Sequence, residues 1–318
     1  MRRLFVTLLI LALIMLSSAC ESKKESHDPV STVQSALPTQ TKTSTSFETT
    51  RSNVISSVQE IISPSVETSL PISEASSELS YYNSDYTERY KAFKKKNPDM
   101  DYEQLILYVN IGLDNPFYTN VKTVTDTGSL TILVNKYHKL SSDFIPELVE
   151  LPQSHCSPGV GKQYLQKEAL EAFKKMHLDA KESGLSITAY GTYRSIDLQD
   201  QIWQRAVNSG RTVEDVDSLN ARGGHSEHNT GLAVDVIGND YFVEKTKEYQ
   251  WYKDNCHKYG FIIRYPKDKD HITGYAYEPW HLRYLGEDLA GLVYESGLTY
   301  EEYYELYDKA IEIAAQAS

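Results

Sequence analysis

The sequence predicts an α+β fold with a short, largely antiparallel sheet flanked by helices, preceded by a disordered linker and a small helical segment. Three observations carry this. Apolar stretches of strand length, "GLAVDVI" and "FIIRYP" among them, are interleaved with amphipathic stretches of helix length such as Tyr164 to Glu182. The two kinds mix without a regular βαβ repeat, which argues against a parallel sheet. Composition also shifts sharply along the 318 residues, so the folded part is shorter than the whole.

Residues 1 to 20, "MRRLFVTLLILALIMLSSAC", place Arg2 and Arg3 before an apolar run from Leu4 to Leu16, then Ser17, Ser18 and Ala19 before Cys20. This is the order of an export signal. The run is short for a bilayer span of about 20 residues, which favours cleavage over permanent anchoring. A cysteine directly after small residues resembles a bacterial lipoprotein processing site, which implies lipidation of Cys20 as the mature N-terminus. Leu16 departs from that pattern, standing one place too early. A lipid anchor on the outer face of a bacterial cell membrane is the expectation, with a secreted protein or an uncleaved anchor as alternatives. All three put the remainder outside the cytoplasm.

From Glu21 to Ser80 there is no Gly, Trp, Tyr or Cys, and Ser, Thr, Glu and Pro dominate. Such a segment cannot bury enough apolar surface to offset the entropy of ordering, so it reads as a disordered tether. As a flexible coil it reaches roughly 40 Å. Residues 81 to 127 then form a tyrosine-rich helical segment: Asp101 followed by Gln104 reads as a capping box, and Gly112 is placed to end that helix. These tyrosines suit either packing or stacking on sugars.

The domain from 128 to 318 alternates. "LTILVNK" reads as a strand, and Tyr164 to Glu182 as a helix with Leu165, Ala169, Phe173 and Met176 on one face. "LSITAYGTYRS" reads as a strand and Ile196 to Ser209 as a helix stopped by Gly210. "GLAVDVI" is a strand, Lys245 to Tyr259 a helix closed at Gly260, and "FIIRYP" and "WHLRYLG" are strands. Gly286 to Ser296 and Thr299 to Ala314 read as closing helices.

The net charge of −12 argues against nucleic acid as a partner. Beyond Cys20 the only cysteines are Cys156 and Cys256, a candidate disulfide in an oxidising compartment. There is no S-x-x-K pair for a serine-type D,D-carboxypeptidase and no H-E-x-x-H for a helical zinc peptidase.

The chemistry concentrates in two stretches. A zinc hydrolase needs three protein ligands, one open position, and a carboxylate to move a proton. In "SEHNTGLAVD", His228 lies on a loop before a strand and Asp235 within it, so one turn and one strand can deliver both to a point. In "EPWH", Pro279 favours an extended or turning chain, from which Glu278 and His281 can project into one cavity. Two histidines and one carboxylate then serve as ligands, with a carboxylate left over.

These pieces resemble zinc D-alanyl-D-alanine carboxypeptidases of the VanY kind, within the group that includes zinc D,D-dipeptidases and hedgehog-like domains. The family pattern S-x-H-x-x-G-x-A-x-D followed by E-x-W-H is met by Ser226, His228, Gly231, Ala233 and Asp235, then Glu278, Trp280 and His281. Tyr193, Arg194, Ser195 and Gln199 match its Y-R-S segment and nearby Gln. The similarity spans roughly Leu130 to Leu292.

The resemblance implies a hedgehog/D,D-peptidase-like fold and one zinc ion per chain bound by His228, Asp235 and His281, with Glu278 as general base. A ligated carboxylate has its charge committed to the metal, which independently calls for a second one to shuttle the proton. Arg194 would stabilise negative charge on the scissile carbonyl oxygen, Ser226 would bind the substrate's terminal carboxylate, and Tyr193 and Gln199 would line the pocket. Plainer roles compete: an ion pair for Arg194, a turn cap for Ser226, packing for Trp280. His225, in "GGHSEH", would bind metal only by displacing an expected ligand, and His271 has no specified role. His27, His138, His155, His177 and His257 read as surface or linker residues.

The implied activity is removal of the terminal D-Ala from peptidoglycan stem peptides or precursors, by a monomer. The alternatives are a D,D-dipeptidase or peptidoglycan endopeptidase of the same fold, or a wall-binding lipoprotein without catalysis.

Overall fold

Residues 79–308 are described by the computed structural model of the chain. The expected export signal, Cys20, the linker up to residue 78 and the end of the last expected helix lie outside the described residues. All described residues belong to one compact unit.

Helix α1 (Thr87–Lys96) ends in Lys94, Lys95 and Lys96, charges that suit the negative end of a helix. Helix α2 (Tyr102–Ile111) starts at Asp101, whose carboxylate accepts the Gln104 N–H at 2.8 Å, and ends at Gly112 with φ 107°. The Gln104 side chain donates to the Tyr108 hydroxyl at 3.2 Å, so only half of the expected capping box forms. The tyrosines here pack. Tyr90 is fully buried and donates to Asn110 Oδ1 at 2.6 Å. Tyr108 and Ile111 share an apolar cluster with Ile272 and Leu306, which joins this segment to the rest of the fold.

Strands β1 (Lys122–Thr123) and β2 (His138–Lys139) form a minimal parallel ladder. "LTILVNK", expected as a strand, joins no ladder. Side chains take its carbonyl groups instead: Arg283 Nη2 donates to those of Leu130 and Ile132 at 2.9 and 2.8 Å, and the Tyr300 hydroxyl donates to that of Thr131. The run is apolar because Ile132, Leu133 and Val134 are buried, not because they pair.

Strands β3 (Val149–Leu151) and β4 (Gln163–Leu165) form an antiparallel hairpin. Because β4 uses Tyr164 and Leu165, the helix expected from Tyr164 begins only at Lys167, as α3 (Lys167–Glu182). Its buried face, Ala169, Leu170, Phe173, Met176, His177 and Ala180, follows helical spacing. It packs on Val234, Phe261 and Leu282 of the sheet. His177, expected at the surface, is on that face: its Nδ1 lies 2.7 Å from the Ile187 carbonyl oxygen, a partner that makes burial of an imidazole tolerable.

The remaining elements are β5 (Ala189–Gly191), α4 (Ile196–Asn208), α5 (Val213–Leu219), β6 (Ala233–Val236), α6 (Lys247–Asn255), β7 (Phe261–Tyr265), α7 (Asp270–Thr273), β8 (Glu278–Tyr284), α8 (Glu287–Ser296) and α9 (Tyr300–Tyr303). The main sheet runs β5-β6-β8-β7 and is antiparallel throughout, as expected. β6 stops one residue short of the expected end because Ile237 takes φ 70°, a conformation a β-branched residue adopts only under constraint. Helix α5 was not expected, although Thr212, which accepts the Asp215 N–H at 3.2 Å, is its sequence signature. Cys156 and Cys256 are free, buried thiols of the same core, so the candidate disulfide is not formed. No helix among the described residues is long and apolar enough to cross a membrane.

Gly231 connects the His228 loop to β6. It has φ 73°, and a Cβ there would lie 2.7 Å from Leu148 Cδ2. Gly231→Ala therefore combines backbone strain with a clash and is expected to cost about 1–3 kcal/mol. Chemical denaturation of the two proteins checks this.

Candidate metal centre

The sheet brings the two motifs together. Asp235 of β6 and His281 of β8 are direct cross-strand partners, so their side chains share one face. On the other side of Asp235 its partner is Gly191 of β5, where a Cβ would sit 2.9 Å from Asp235 Oδ2. Glycine at that place makes room for the carboxylate.

His228 arrives on a single 3-10 turn, Glu227–Thr230. Ser226 caps it, its hydroxyl oxygen accepting the His228 N–H at 3.3 Å, and Gly231 closes it. His228 Nδ1 lies 2.7 Å from the Thr192 carbonyl oxygen. A carbonyl can only accept, so the proton is on Nδ1 and the Nε2 lone pair is free. That Nε2 faces Asp235 Oδ1 at 3.3 Å, and Asp235 Oδ1 lies 3.5 Å from His281 Nδ1.

One ligand atom each from His228, Asp235 and His281 lies within 4.8 Å of the others, and all three residues are buried. His228 Nε2 and Asp235 Oδ1 have no hydrogen-bond partner among the described residues. Tetrahedral coordination at about 2.1 Å separates neighbouring ligand atoms by about 3.4 Å. The spacings of 3.3 and 3.5 Å match that. Two imidazoles and a carboxylate suit zinc in both donor type and number, with the fourth position left open.

The charges agree with a cation site. Burial pushes the His228 imidazole down to about 4, and Arg194 adds to this. Burial works against the Asp235 carboxylate too, yet His228, His281 and Arg194 hold it down to about 2. His281 moves the other way: burial opposes its charge, but Glu227, Glu278 and Asp235 raise it to about 9. The two imidazoles diverge because one neighbours a guanidinium and the other three carboxylates. Those carboxylates hold positive charge at the place where a divalent ion would substitute for the proton.

Glu278 is buried and stands outside the ligand set, its Oε2 3.3 Å from His281 Nδ1. Burial raises its carboxyl above the ordinary range, with His281 acting in the opposite direction. Arg194 leaves β5 with its N–H donating to the His228 carbonyl oxygen at 3.1 Å, and its buried Nε has no partner among the described residues. Tyr193 is half-buried. Gln199 is buried within α4, its Nε2 donating to the Ala221 carbonyl oxygen at 2.7 Å and its Oε1 without a partner among the described residues. It braces the loop that leads into "GGHSEH".

His225 is held away from the ligand set, Nδ1 at 2.8 Å from the Asn135 carbonyl oxygen and its ring edge-on to Tyr118. His271 Nε2 lies 3.3 Å from the Tyr108 hydroxyl. Trp280 packs in the core against Tyr241.

Sequence reasoning missed Glu227, fully buried between Ser226 and His228, and the two arginines that hold it. Arg264 Nε and Arg283 Nη1 donate to Glu227 Oε1 at 2.7 and 2.8 Å. The available signal was an arginine in each of two apolar strands, which demands a buried anion.

The family profile described as VanY, D-alanyl-D-alanine carboxypeptidase, matches residues 162–287. The chain is 35% identical over 237 residues to YodJ of Bacillus subtilis (strain 168), which carries a carboxypeptidase name, covering 70% of this chain and 84% of that one. It is 34% identical over 195 residues to a D-alanyl-D-alanine carboxypeptidase of Enterococcus faecium, covering 58% and 61% respectively. Among solved structures, the LdcB LD-carboxypeptidase is similar with a TM-score of 0.56 and 38% identity, over 59% of this chain and 91% of that one.

Proposed function

The chain belongs to the VanY family of D-alanyl-D-alanine carboxypeptidases, and we propose that it is a zinc-dependent carboxypeptidase hydrolysing the terminal D-Ala of peptidoglycan stem peptides or precursors. The observation that carries this is the convergence of His228, Asp235 and His281 at coordination spacing, with Glu278 beside them and outside the set.

His228 would bind through Nε2, His281 through Nδ1, and Asp235 through its carboxylate. Zinc there supplies Lewis acidity toward the scissile carbonyl and lowers the pKa of water to about 7. Glu278 takes the proton from the attacking water and later delivers it to the departing amine of D-Ala. Arg194, whose buried Nε has no partner among the described residues, is suited to the negative charge that develops on the carbonyl oxygen. Ser226 holds the His228 turn in shape and its hydroxyl is assigned to the substrate's terminal carboxylate, with Tyr193 and Gln199 lining the pocket. Catalysis outside the cytoplasm, on a tether acylated at Cys20, is part of the same proposal, supported by the order of residues 1 to 20.

The similarity to LdcB favours a second reading, cleavage between an L-residue and a terminal D-Ala. Product analysis separates the two. Purified protein is expected to release D-Ala from a muramyl pentapeptide ending in D-Ala-D-Ala, in a chelator-sensitive manner. Release only from a tetrapeptide ending in L-Lys-D-Ala would transfer the assignment to the second reading, and release only from free D-Ala-D-Ala to a dipeptidase.

A further inference from the structure

Two buried atoms beside the ligand set face each other and have no other partner among the described residues. Glu227 Oε2 and His281 Nε2 lie 3.5 Å apart, an ion-pair separation, and neither makes a hydrogen bond among the described residues. The second oxygen of Glu227 is gripped by Arg264 and Arg283, as described above. Arg264 is held in turn by both oxygens of Glu301, at 2.8 and 2.5 Å, and Arg283 by the carbonyl groups of Leu130 and Ile132. Glu227, Arg264, Arg283 and Glu301 have side chains 0 or 1% exposed. A lone carboxylate at that depth would be costly. Paired with two arginines it is neutralised and its plane is fixed, leaving Oε2 aimed at the imidazole.

A neutral imidazole has one proton to donate and one lone pair to offer. A carboxylate at Nε2 draws the proton there and leaves the lone pair on Nδ1. Nδ1 is the atom that faces Asp235 at 3.5 Å and Glu278 at 3.3 Å. His228 has the reverse arrangement, with Nδ1 on the Thr192 carbonyl oxygen and Nε2 free. The two histidines of the centre therefore need opposite tautomers, and only His281 receives its own from a charged side chain.

We propose that Glu227 is a positioning residue that fixes His281 as the Nε2–H tautomer and thereby sets the affinity of the centre for its metal, with Arg264, Arg283 and Glu301 as its rigid mount. This rests on the zinc reading above. Glu227 acts through His281 and is not assigned contact with substrate.

The test has two arms. In zinc-loaded wild-type protein carrying 15N-labelled histidine, long-range 1H–15N correlation is expected to show His228 protonated on Nδ1 and His281 on Nε2. In Glu227→Gln, zinc affinity is measured by competition with a chromophoric chelator, alongside the thermal midpoint. Glutamine keeps the size but offers one carbonyl oxygen to three donors, so zinc should bind about 10- to 100-fold more weakly. kcat should largely recover at saturating zinc, which a merely structural defect would not allow.

His281 protonated on Nδ1 overturns the proposal, as does a folded Glu227→Gln with zinc affinity within about twofold of wild type. If that variant does not fold, the tautomer of wild-type His281 decides. Wild-type protein that takes up no zinc overturns the zinc reading and this inference together, whereas zinc-binding wild type with an indifferent variant overturns only the inference.

Discussion

Glu278→Gln is expected to lower kcat by about 10²–10⁴-fold, the range for loss of a positioned acid–base group, with little change in zinc affinity. The substitution preserves size and removes only the ability to take up and return a proton. Glu278 is the right group to lose because its carboxylate is beside the centre at 3.3 Å from His281 Nδ1 yet outside the three-residue ligand set. Burial already raises its carboxyl, which brings a carboxylate base nearer to working pH. Single-turnover kinetics with metal content measured on the same sample check the result. A variant that loses zinc in proportion to activity would show Glu278 to be a ligand instead.

Asp235→Asn should have a larger effect, abolishing turnover at stoichiometric zinc by removing the only negative charge in the ligand set. The fold should survive, since asparagine is isosteric and Gly191 leaves room beside it. What disappears is the stabilisation that zinc provides. A ligand at 100 times its Kd stabilises the native state by about 2.7 kcal/mol, so wild type should gain thermal stability with added zinc and the variant should gain little. Thermal scans with and without zinc, after chelator treatment, give the comparison. An equal zinc-dependent shift in both proteins would remove Asp235 from the centre.

The sheet was legible in the sequence because its strands are bounded by clear punctuation. Gly260 before "FIIRYP" marks a start that the structure keeps, whereas "WHLRYLG" is shifted, β8 running from Glu278 to Tyr284. "LTILVNK" was misread because periodicity reports burial and not bonding; the partners of its carbonyl groups are the distant Arg283 and Tyr300. The short 3-10 turn at Glu227–Thr230 carries too few residues to show a period at all.

The ligand candidates were legible because His and Asp at those intervals are chemically demanding, and the cross-strand pairing of Asp235 with His281 explains how they meet. The support beneath them was not. Glu227 looked like one more charged loop residue, and its meaning depends on Arg264 and Arg283, which lie 37 and 56 positions away in the chain. His177 was misplaced for the same reason: the carbonyl group that lets it sit in the core belongs to Ile187, beyond the end of its own helix.

Diffraction at the zinc absorption edge from zinc-loaded crystals tests the central claim most directly. One anomalous peak is expected within coordination distance of His228 Nε2, an Asp235 carboxylate oxygen and His281 Nδ1, with Glu278 outside the coordination sphere. No peak at that point in zinc-soaked crystals, or a peak ligated by Glu278 in place of one of the three, would contradict it.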